Sequence, residues 1–197
     1  GFYTESLRIR RELGDKSGMA TSLNGLGEIA RHQGAYQEAK QLYTESLQLA
    51  RDLGNRWGIA DSLNNLAIIA RRQGAYQEAR RLYAESLQIE REIGNKRGIA
   101  ISLNNLGVIA ERQGAYQEAR RLYAESLQMR RELGDKRGTA MVLGNLGIVA
   151  EHQGAYQEAR QLFAECLQIF REMSSNFRFK ICLTYKYFNI NKLFFLY

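Results

Sequence analysis

The feature that most constrains this chain is the heptapeptide QGAYQEA, which occurs four times at a fixed 40-residue step. The copies span residues 33–39, 73–79, 113–119 and 153–159. A fixed period of about 20–50 residues indicates an array of supersecondary units, each burying its apolar face against its neighbours. We therefore expect a chain of similar, stacked units.

The apolar residues of one unit follow the spacing of two helices. They recur at steps of three and four, which predicts amphipathic helices and excludes the alternation of a strand. The first helix has Ile99, Leu103, Leu106, Gly107 and Ala110, and the second has Tyr116, Ala119, Leu122, Tyr123, Ser126, Leu127 and Leu133. The chain has no proline, which favours uninterrupted helices.

Glycines punctuate the pattern. Gly14, Gly54, Gly94 and Gly134 each follow a second helix, where the left-handed conformation of glycine closes a helix. The next residue is always an Asp or Asn, predicted to cap the following helix: Asp15, Asn55, Asn95 and Asp135. A second set, Gly34, Gly74, Gly114 and Gly154, separates the two helices of a unit, so short turns make them antiparallel.

These signals divide the chain into six segments. Residues 1–13 are predicted to be the second helix of a truncated repeat, and residues 174–197 are a non-repeat basic aromatic tail. Four helix–turn–helix repeats lie between them, at 14–53, 54–93, 94–133 and 134–173. The chain has no initiating Met and begins inside the pattern, so we expect it to be a fragment of a longer array.

The positions of small and large residues resemble the tetratricopeptide repeat. The unit reads Leu106-Gly107-x-x-Ala110, then Gly114-x-Tyr116-x-x-Ala119-x-x-x-Tyr123, and the match recurs over residues 1–173. The resemblance implies an all-α fold, a right-handed superhelical solenoid of antiparallel helix pairs with a concave inner surface. It also implies a binding platform.

Two departures from the common pattern refine the resemblance. The usual proline near the end of the second helix is missing, and the 40-residue unit is longer than the common one. The longer unit resembles the repeats of kinesin light chain, of Pins-type spindle-orientation adaptors and of arrays attached to bacterial NTPase-type signalling regulators.

The charge does not indicate a nucleic-acid partner. The net charge of +7 includes four cations and no acids in the tail, which leaves 24 cations and 21 anions in the repeats and the helix before them. Interleaved Arg and Glu are typical of a solvated helix surface. The arginines Arg80, Arg81, Arg120 and Arg121 are predicted to pair with nearby glutamates at i,i+4-type spacing.

Two further features bear on the location of the protein. Cys166 and Cys182 have no metal-ligand spacing, which favours a reducing, cytoplasmic location. No apolar run approaches the ~18 residues of a membrane span, and the first residues do not have the apolar core of a signal peptide.

Asparagines form a stripe on the first helices, away from the predicted core. Asparagine is a mediocre helix former, and its amide both donates and accepts hydrogen bonds. The members are Asn24, Asn64, Asn65, Asn104, Asn105 and Asn145. In the related long-unit families, an asparagine just before Leu-Gly forms a ladder on the peptide backbone; Asn65, Asn105 and Asn145 match it, and Gly25 does not. Alternatively, these amides bond only neighbouring first helices.

The repeats differ from one another mainly on this stripe. The variable series include Thr21/Asp61/Ile101/Met141, Glu28/Ile68/Val108/Ile148, Arg31/Arg71/Glu111/Glu151 and His32/Arg72/Arg112/His152. The stripe thus predicts a peptide-binding groove comprising the six asparagines with Ile68, Arg71, Arg72, Ile101, Val108, Arg112, Met141 and Ile148. The apolar side chains of this groove and the arginines of its N-terminal half suit a protein partner with apolar anchors and an acidic segment.

No catalytic group of residues emerges, so we expect a protein without enzymatic activity and without a cofactor. His32 and His152 stand at equivalent repeat positions, and no Ser/His/Asp set, metal spacing or phosphate loop is present. Tyr36, Tyr76, Tyr116 and Tyr156 recur at core spacing and are predicted to be core residues. Two alternatives to an interaction scaffold stay open: a spacer or self-association array, and a regulatory array of a larger NTPase-type signalling protein. The sequence does not indicate an oligomeric state.

The tail, NFRFKICLTYKYFNINKLFFLY, breaks the repeat register after Met173. Over residues 177–187, apolar and aromatic residues alternate with Arg178, Lys180, Cys182, Thr184 and Lys186, a strand-like pattern. The interpretations are a cap over the last helix, a cationic aromatic membrane-surface anchor, or a non-native end from a shifted reading frame, and its composition favours the last.

Overall fold

The structure, a computed structural model, describes residues 1–173, and that part of the chain is entirely helical. That part contains nine helices, and the last eight follow each other along the chain in the order expected from the 40-residue period. They are α1 (Phe2–Glu12), α2 (Lys16–His32), α3 (Tyr36–Asp52), α4 (Arg56–Arg72), α5 (Tyr76–Glu92), α6 (Lys96–Arg112), α7 (Tyr116–Glu132), α8 (Lys136–His152) and α9 (Tyr156–Met173). The prediction of an all-α array of helix pairs is confirmed.

The chain forms two compact units, Gly1–Ile109 and the residues from Ala110 onward. In unit 1, α2 packs against α1 and α3, and α4 packs against α3 and α5. In unit 2, α8 packs against α7 and α9. The helices preceded by Asp or Asn are first helices (α2, α4, α6, α8), and the others are second helices.

The predicted helix ends are confirmed. All eight turn glycines, from Gly14 to Gly154, have φ between 63° and 80°, a conformation that costs other residues roughly 1 kcal/mol or more. The first helices are capped by side-chain oxygens that accept from a backbone N–H three residues later. Asp15 accepts from Gly18 at 2.9 Å and Asn55 accepts from Gly58 at 3.0 Å. These local bonds position each first helix after its turn.

In α2–α3 and in α8–α9, a small residue of the first helix faces an aromatic ring of the second. Tyr43 is fully buried over Gly27, where a Cβ atom would lie 2.7 Å from the ring. Phe163 faces Gly147 in the same way, at 2.6 Å. The small-against-large packing predicted from the repeat pattern is thus observed.

The prediction that the tyrosines of the QGAYQEA motif are core residues is wrong for Tyr156, which is 60% exposed. Tyr36 and Tyr76 pack at the margin of the core and, like Tyr116, are only half-buried. Each is the first residue of its helix, where fewer neighbours surround the ring. The fully buried tyrosines are Tyr43, Tyr83 and Tyr123, seven positions later in each repeat.

Buried hydroxyl groups join successive repeats in unit 1. The Ser46 hydroxyl donates to the carbonyl of Ala20 at 3.0 Å and lies 3.2 Å from the Ser62 hydroxyl. Ser86 donates to the carbonyl of Ala60 at 2.9 Å. These bonds satisfy polar groups that helix packing removes from water.

Repeat boundaries at residues 14, 54, 94 and 134 remain our proposal, because the helix limits do not by themselves define where one unit ends. The interpretations of the tail, residues 174–197, fall outside the described residues.

Candidate peptide-binding face

The residues predicted to bind a peptide all lie on first helices, and together we call them the first-helix face. In unit 1, α2, α4 and α6 provide Asn24, Asn64, Asn65, Ile68, Arg71, Arg72, Ile101, Asn104, Asn105 and Val108. In unit 2, Arg112 on α6 and Met141, Asn145 and Ile148 on α8 provide the rest.

Most of this face is accessible. In unit 1, Arg72 is exposed, and every other member except Asn104 is half-buried. Asn104 is 8% exposed and offers a ligand little surface. In unit 2, Met141 is 45% exposed and Ile148 is half-buried. Apolar and polar side chains are therefore both accessible on this face.

Asn24, Asn64 and Asn105 join neighbouring first helices. The Asn24 amide donates to an Asp61 carboxylate oxygen at 3.0 Å and accepts from the Ser62 hydroxyl at 3.5 Å. The Asn105 amide donates to the Asn64 carbonyl oxygen at 3.3 Å. The structural alternative, in which the amides bond across helices, therefore describes Asn24, Asn64 and Asn105.

Asn65 differs from these three. It stands at the repeat position of Asn105, whose partner is the asparagine at the preceding position on the neighbouring helix. The corresponding partner for Asn65 is Asn24, but Asn24 is bonded to Asp61 and Ser62. Within residues 1–173 the Asn65 side chain has no hydrogen-bond partner, although it is half-buried on the face. Its amide is therefore available to a ligand.

The cations at the C-terminal ends of α2 and α4 differ in their surroundings. Arg31 lies 3.5 Å from Glu28 and 3.0 Å from the His32 ring, so α2 neutralises its own charge. At the position of Glu28, α4 has Ile68. No acid in the described part of the chain pairs with Arg71 or Arg72, and the basic character predicted for this half rests on those two residues.

Two buried polar atoms lie at this end of α4. The Tyr83 hydroxyl and the Arg71 Nε atom are both buried without a hydrogen-bond partner among the described residues. Burial raises the pKa of Tyr83, and the nearby Arg71 guanidinium opposes that shift. The hydroxyl thus remains neutral at physiological pH.

Asp61 is an acid on the same face, and the prediction of site residues does not include it. Burial raises the pKa of its carboxyl group, and the negative charge of Glu28 adds to the shift. Its hydrogen bond comes from the uncharged amide of Asn24, and no cation of the described residues pairs with it. The signal in the sequence is that Asp61 is the only acid in its variable series.

Several charges on the second helices behave differently, because they pair with the next repeat. Arg51 lies 3.2 Å from Glu85, and Arg131 lies 2.6 Å from Glu165. Of the arginines predicted to form i,i+4 pairs, Arg81 lies 3.8 Å from Glu85, four residues later. Most of the arginine side chains on this surface are therefore engaged within the protein.

Other kinds of site find no support in residues 1–173. No group of three or more His, Cys, Asp or Glu side chains there is arranged to hold a metal ion. Among the same residues, none of the helices combines the length and apolar character required to cross a membrane.

The chain belongs to the tetratricopeptide repeat family. The family model, described as "Tetratricopeptide repeat", matches residues 1–52, 58–132 and 98–172. The resemblance seen in the sequence is thereby confirmed. Members of this family are in general protein-interaction scaffolds. No curated protein sequence matches the chain.

Solved structures share the fold. The chain is similar to BtubC (BKLC) from P. vanneervenii, with a TM-score of 0.77 and 23% identity over 88% of this chain and 72% of that one. It is also similar to the apo form of RapI, with a TM-score of 0.74 and 15% identity over 87% of this chain and 70% of that one. At these identities the likeness shows the fold alone.

Proposed function

We propose that this protein is an interaction module that holds an extended segment of a protein partner against the first-helix face. The observation behind this proposal is the contrast between the charges on the second helices and the polar side chains of the first-helix face. Charges such as Arg51 and Arg131 on the second helices are paired with the next repeat. On α4, by contrast, no acid of the described residues pairs with Arg71 or Arg72, and the Asn65 amide has no hydrogen-bond partner among those residues. Polar groups left open on a rigid scaffold are suited to a ligand.

Each kind of side chain on the face supports part of this role. The Asn65 amide can donate to and accept from the backbone of an extended peptide, which does not depend on the peptide's side chains. Ile68, Ile101 and Val108 in unit 1 are half-buried and offer apolar contact to anchor residues. The cations Arg71 and Arg72 favour a partner with an acidic segment.

A cytoplasmic location belongs to the same proposal. Cys166 is a free thiol, 3% exposed, and burial raises its pKa to about 11. A protonated, buried thiol is inert and fits a reducing compartment. A scaffold of this kind acts by binding, without a catalytic step of its own.

The test is affinity capture from lysate of the source cell with the full chain as bait. The variant is Asn65→Ala, and the matched control is Gln88→Ala, which removes an exposed second-helix amide bonded to Glu92 at 3.1 Å. We expect the parent and the control to retain the same partner and Asn65→Ala to lose most of it. Circular dichroism establishes that each variant is folded.

Equal capture by all three proteins would refute a role for the Asn65 amide. The spacer or self-association alternative predicts a different result. In that case the baits retain only copies of the chain itself, and sedimentation shows a concentration-dependent oligomer.

A further inference from the structure

The stripe along α4 is the most polarised part of the first-helix face. Asp61, Asn65, Ile68 and Arg72 follow each other at steps of four, three and four, which places them on one side of the helix. Arg71 flanks the end of this stripe. The order along the helix is therefore acid, amide, apolar side chain, cation.

No other first helix has this order. The positions of Asp61 and Ile68 are occupied by Thr21 and Glu28 on α2, by Ile101 and Val108 on α6, and by Met141 and Ile148 on α8. On α2 the acid lies next to Arg31, at 3.5 Å, and the charges cancel. On α4 the acid and the cations are separated by about 16 Å along the axis and cannot neutralise each other directly.

The charged ends of the stripe are both left without an ionic partner in the described part of the chain. Asp61 receives one hydrogen bond, from the Asn24 amide at 3.0 Å. Arg71 has its Nε atom buried beside the Tyr83 hydroxyl, and neither atom has a partner in residues 1–173. A charge or polar group partly removed from water and left unpaired is costly, so a complementary ligand gains more here than on an open surface.

The next repeat shows that a carboxylate fits at the cationic end. Glu111 replaces Arg71 at the equivalent position, and its Oε2 atom accepts a hydrogen bond from the Tyr123 hydroxyl at 2.9 Å. The location between the end of a first helix and a buried tyrosine therefore accommodates a carboxylate. On α4 the chain places a cation there instead.

We infer that the α4 stripe binds an extended peptide segment with a basic side chain at Asp61, an apolar side chain at Ile68 and an acidic side chain at Arg71 and Arg72. An extended chain rises about 3.3 Å per residue, so the basic and acidic residues are about five positions apart. The inference rests on the proposed function and deepens it, because it assigns the charge order of the bound segment.

The test is selection of binders from a displayed library of random dodecapeptides on the full chain. We expect enriched peptides to combine Lys or Arg with Asp or Glu about five positions away and an apolar residue between them. The selection is repeated with Asp61→Thr, which copies Thr21, and with the double variant Arg71→Gln, Arg72→Gln. The first variant should lose only the preference for the basic residue, and the second only the preference for the acid.

The control is Arg81→Gln, which removes a 69%-exposed second-helix cation and should leave the enriched peptides unchanged. A synthetic peptide from the parent selection should bind each stripe variant about fivefold more weakly, the scale of one partly exposed charge contact. Circular dichroism verifies folding, and Asp61→Asn replaces any Thr variant that fails to fold.

The outcomes separate the two proposals. Enrichment without paired charges, or charge preferences that the stripe variants do not alter, overturns the charge order and leaves peptide binding intact. Failure to enrich any peptide above a blank surface counts against the proposed function as well.

Discussion

Glu90 is a buried acid at a position where the repeats have chemically different residues. Ala50, Arg130 and Phe170 are its equivalents, and all three are buried. Glu90 is 6% exposed, and its Oε2 atom has no hydrogen-bond partner among the described residues. Its carboxyl group lies against Gly98, at the start of the next first helix, where a Cβ atom would collide with it.

Replacing this acid should stabilise the protein at neutral pH. Burial raises the pKa of Glu90 above its ordinary value of 4.5, a shift that a hydrogen bond from Asn95 opposes. The folded state therefore favours the protonated form, and stability falls as pH rises from the unfolded-state pKa through the folded-state pKa. We expect Glu90→Gln to raise the free energy of unfolding by roughly 1 kcal/mol at pH 7.

Thermal and urea unfolding of both proteins between pH 4 and pH 8 measures the difference. It should shrink as the pH falls and disappear below the ordinary Glu pKa, where both states of the parent are protonated. Asp52→Asn, an exposed acid on α3, is the control and should show little pH-dependent difference. A Gln variant less stable than the parent at pH 7 would mean that the carboxylate is satisfied in the folded protein.

At the scale of the helix, equivalent tyrosines have unequal surroundings. Tyr43, Tyr83 and Tyr123 are all fully buried. The Tyr123 hydroxyl donates a hydrogen bond to Glu111 at 2.9 Å. The hydroxyls of the other two are buried without a partner in residues 1–173, each near an arginine of the adjacent first helix. The identity of one first-helix residue, Arg or Glu, thus determines whether the buried tyrosine hydroxyl on the next helix has a hydrogen-bond partner.

The same substitution should therefore have different effects in different repeats. Tyr83→Phe removes an unsatisfied hydroxyl and should change the free energy of unfolding by less than about 0.5 kcal/mol. Tyr123→Phe removes a satisfied one and should cost about 1 kcal/mol or more, because the Glu111 carboxylate loses its donor. Phe163, which occupies the equivalent position, shows that the ring alone packs well there.

Urea unfolding of the parent and the two variants provides the comparison. The slope of the unfolding free energy against urea concentration should be the same in all three proteins. Equal losses in both would show that the Tyr83 hydroxyl has a bonding partner in solution. Equal tolerance would show that the Tyr123–Glu111 bond contributes nothing net.

At the scale of the whole molecule, ion pairs recur with the repeat period. In unit 1, Arg11 pairs with Glu45 at 3.1 Å and Arg51 pairs with Glu85 at 3.2 Å, each joining one second helix to the next. Arg131 and Glu165 repeat the arrangement in unit 2. These side chains are about half exposed, so the pairs define which surfaces meet more than they add stability.

A double-mutant cycle on one such pair tests this interpretation. Arg51→Gln and Glu85→Gln, singly and combined, should give a coupling free energy of about 0.5 kcal/mol at low salt. It should approach zero in about 1 M sodium chloride, where the Debye length is about 3 Å. A coupling that persists at high salt would place the pair in a far less solvated environment than its exposure indicates.

Much of the fold could be predicted from the sequence because its determinants are local. The turn at Gly54 and the cap at Asn55 depend on residues within a few positions of each other, and both appear as predicted. The helix periodicity and the repeat step likewise need no knowledge of distant contacts. Tyr156 shows the limit, since its spacing suits a core residue but its place at the start of a helix leaves it exposed.

The candidate site depends on tertiary structure to a greater degree. In the sequence, Asn65 and Asn105 are equivalent, and both are predicted to face a peptide. Only helix packing brings residues from neighbouring repeats into contact, so that Asn105 bonds Asn64. The same packing lets Asp61 engage Asn24, and Asn65 is left open. The sequence by itself determined the helices, their ends and their repetition, because those follow from short-range interactions. The tertiary structure decided which side chains remain available, because a hydrogen bond between helices uses groups that the sequence presents as identical.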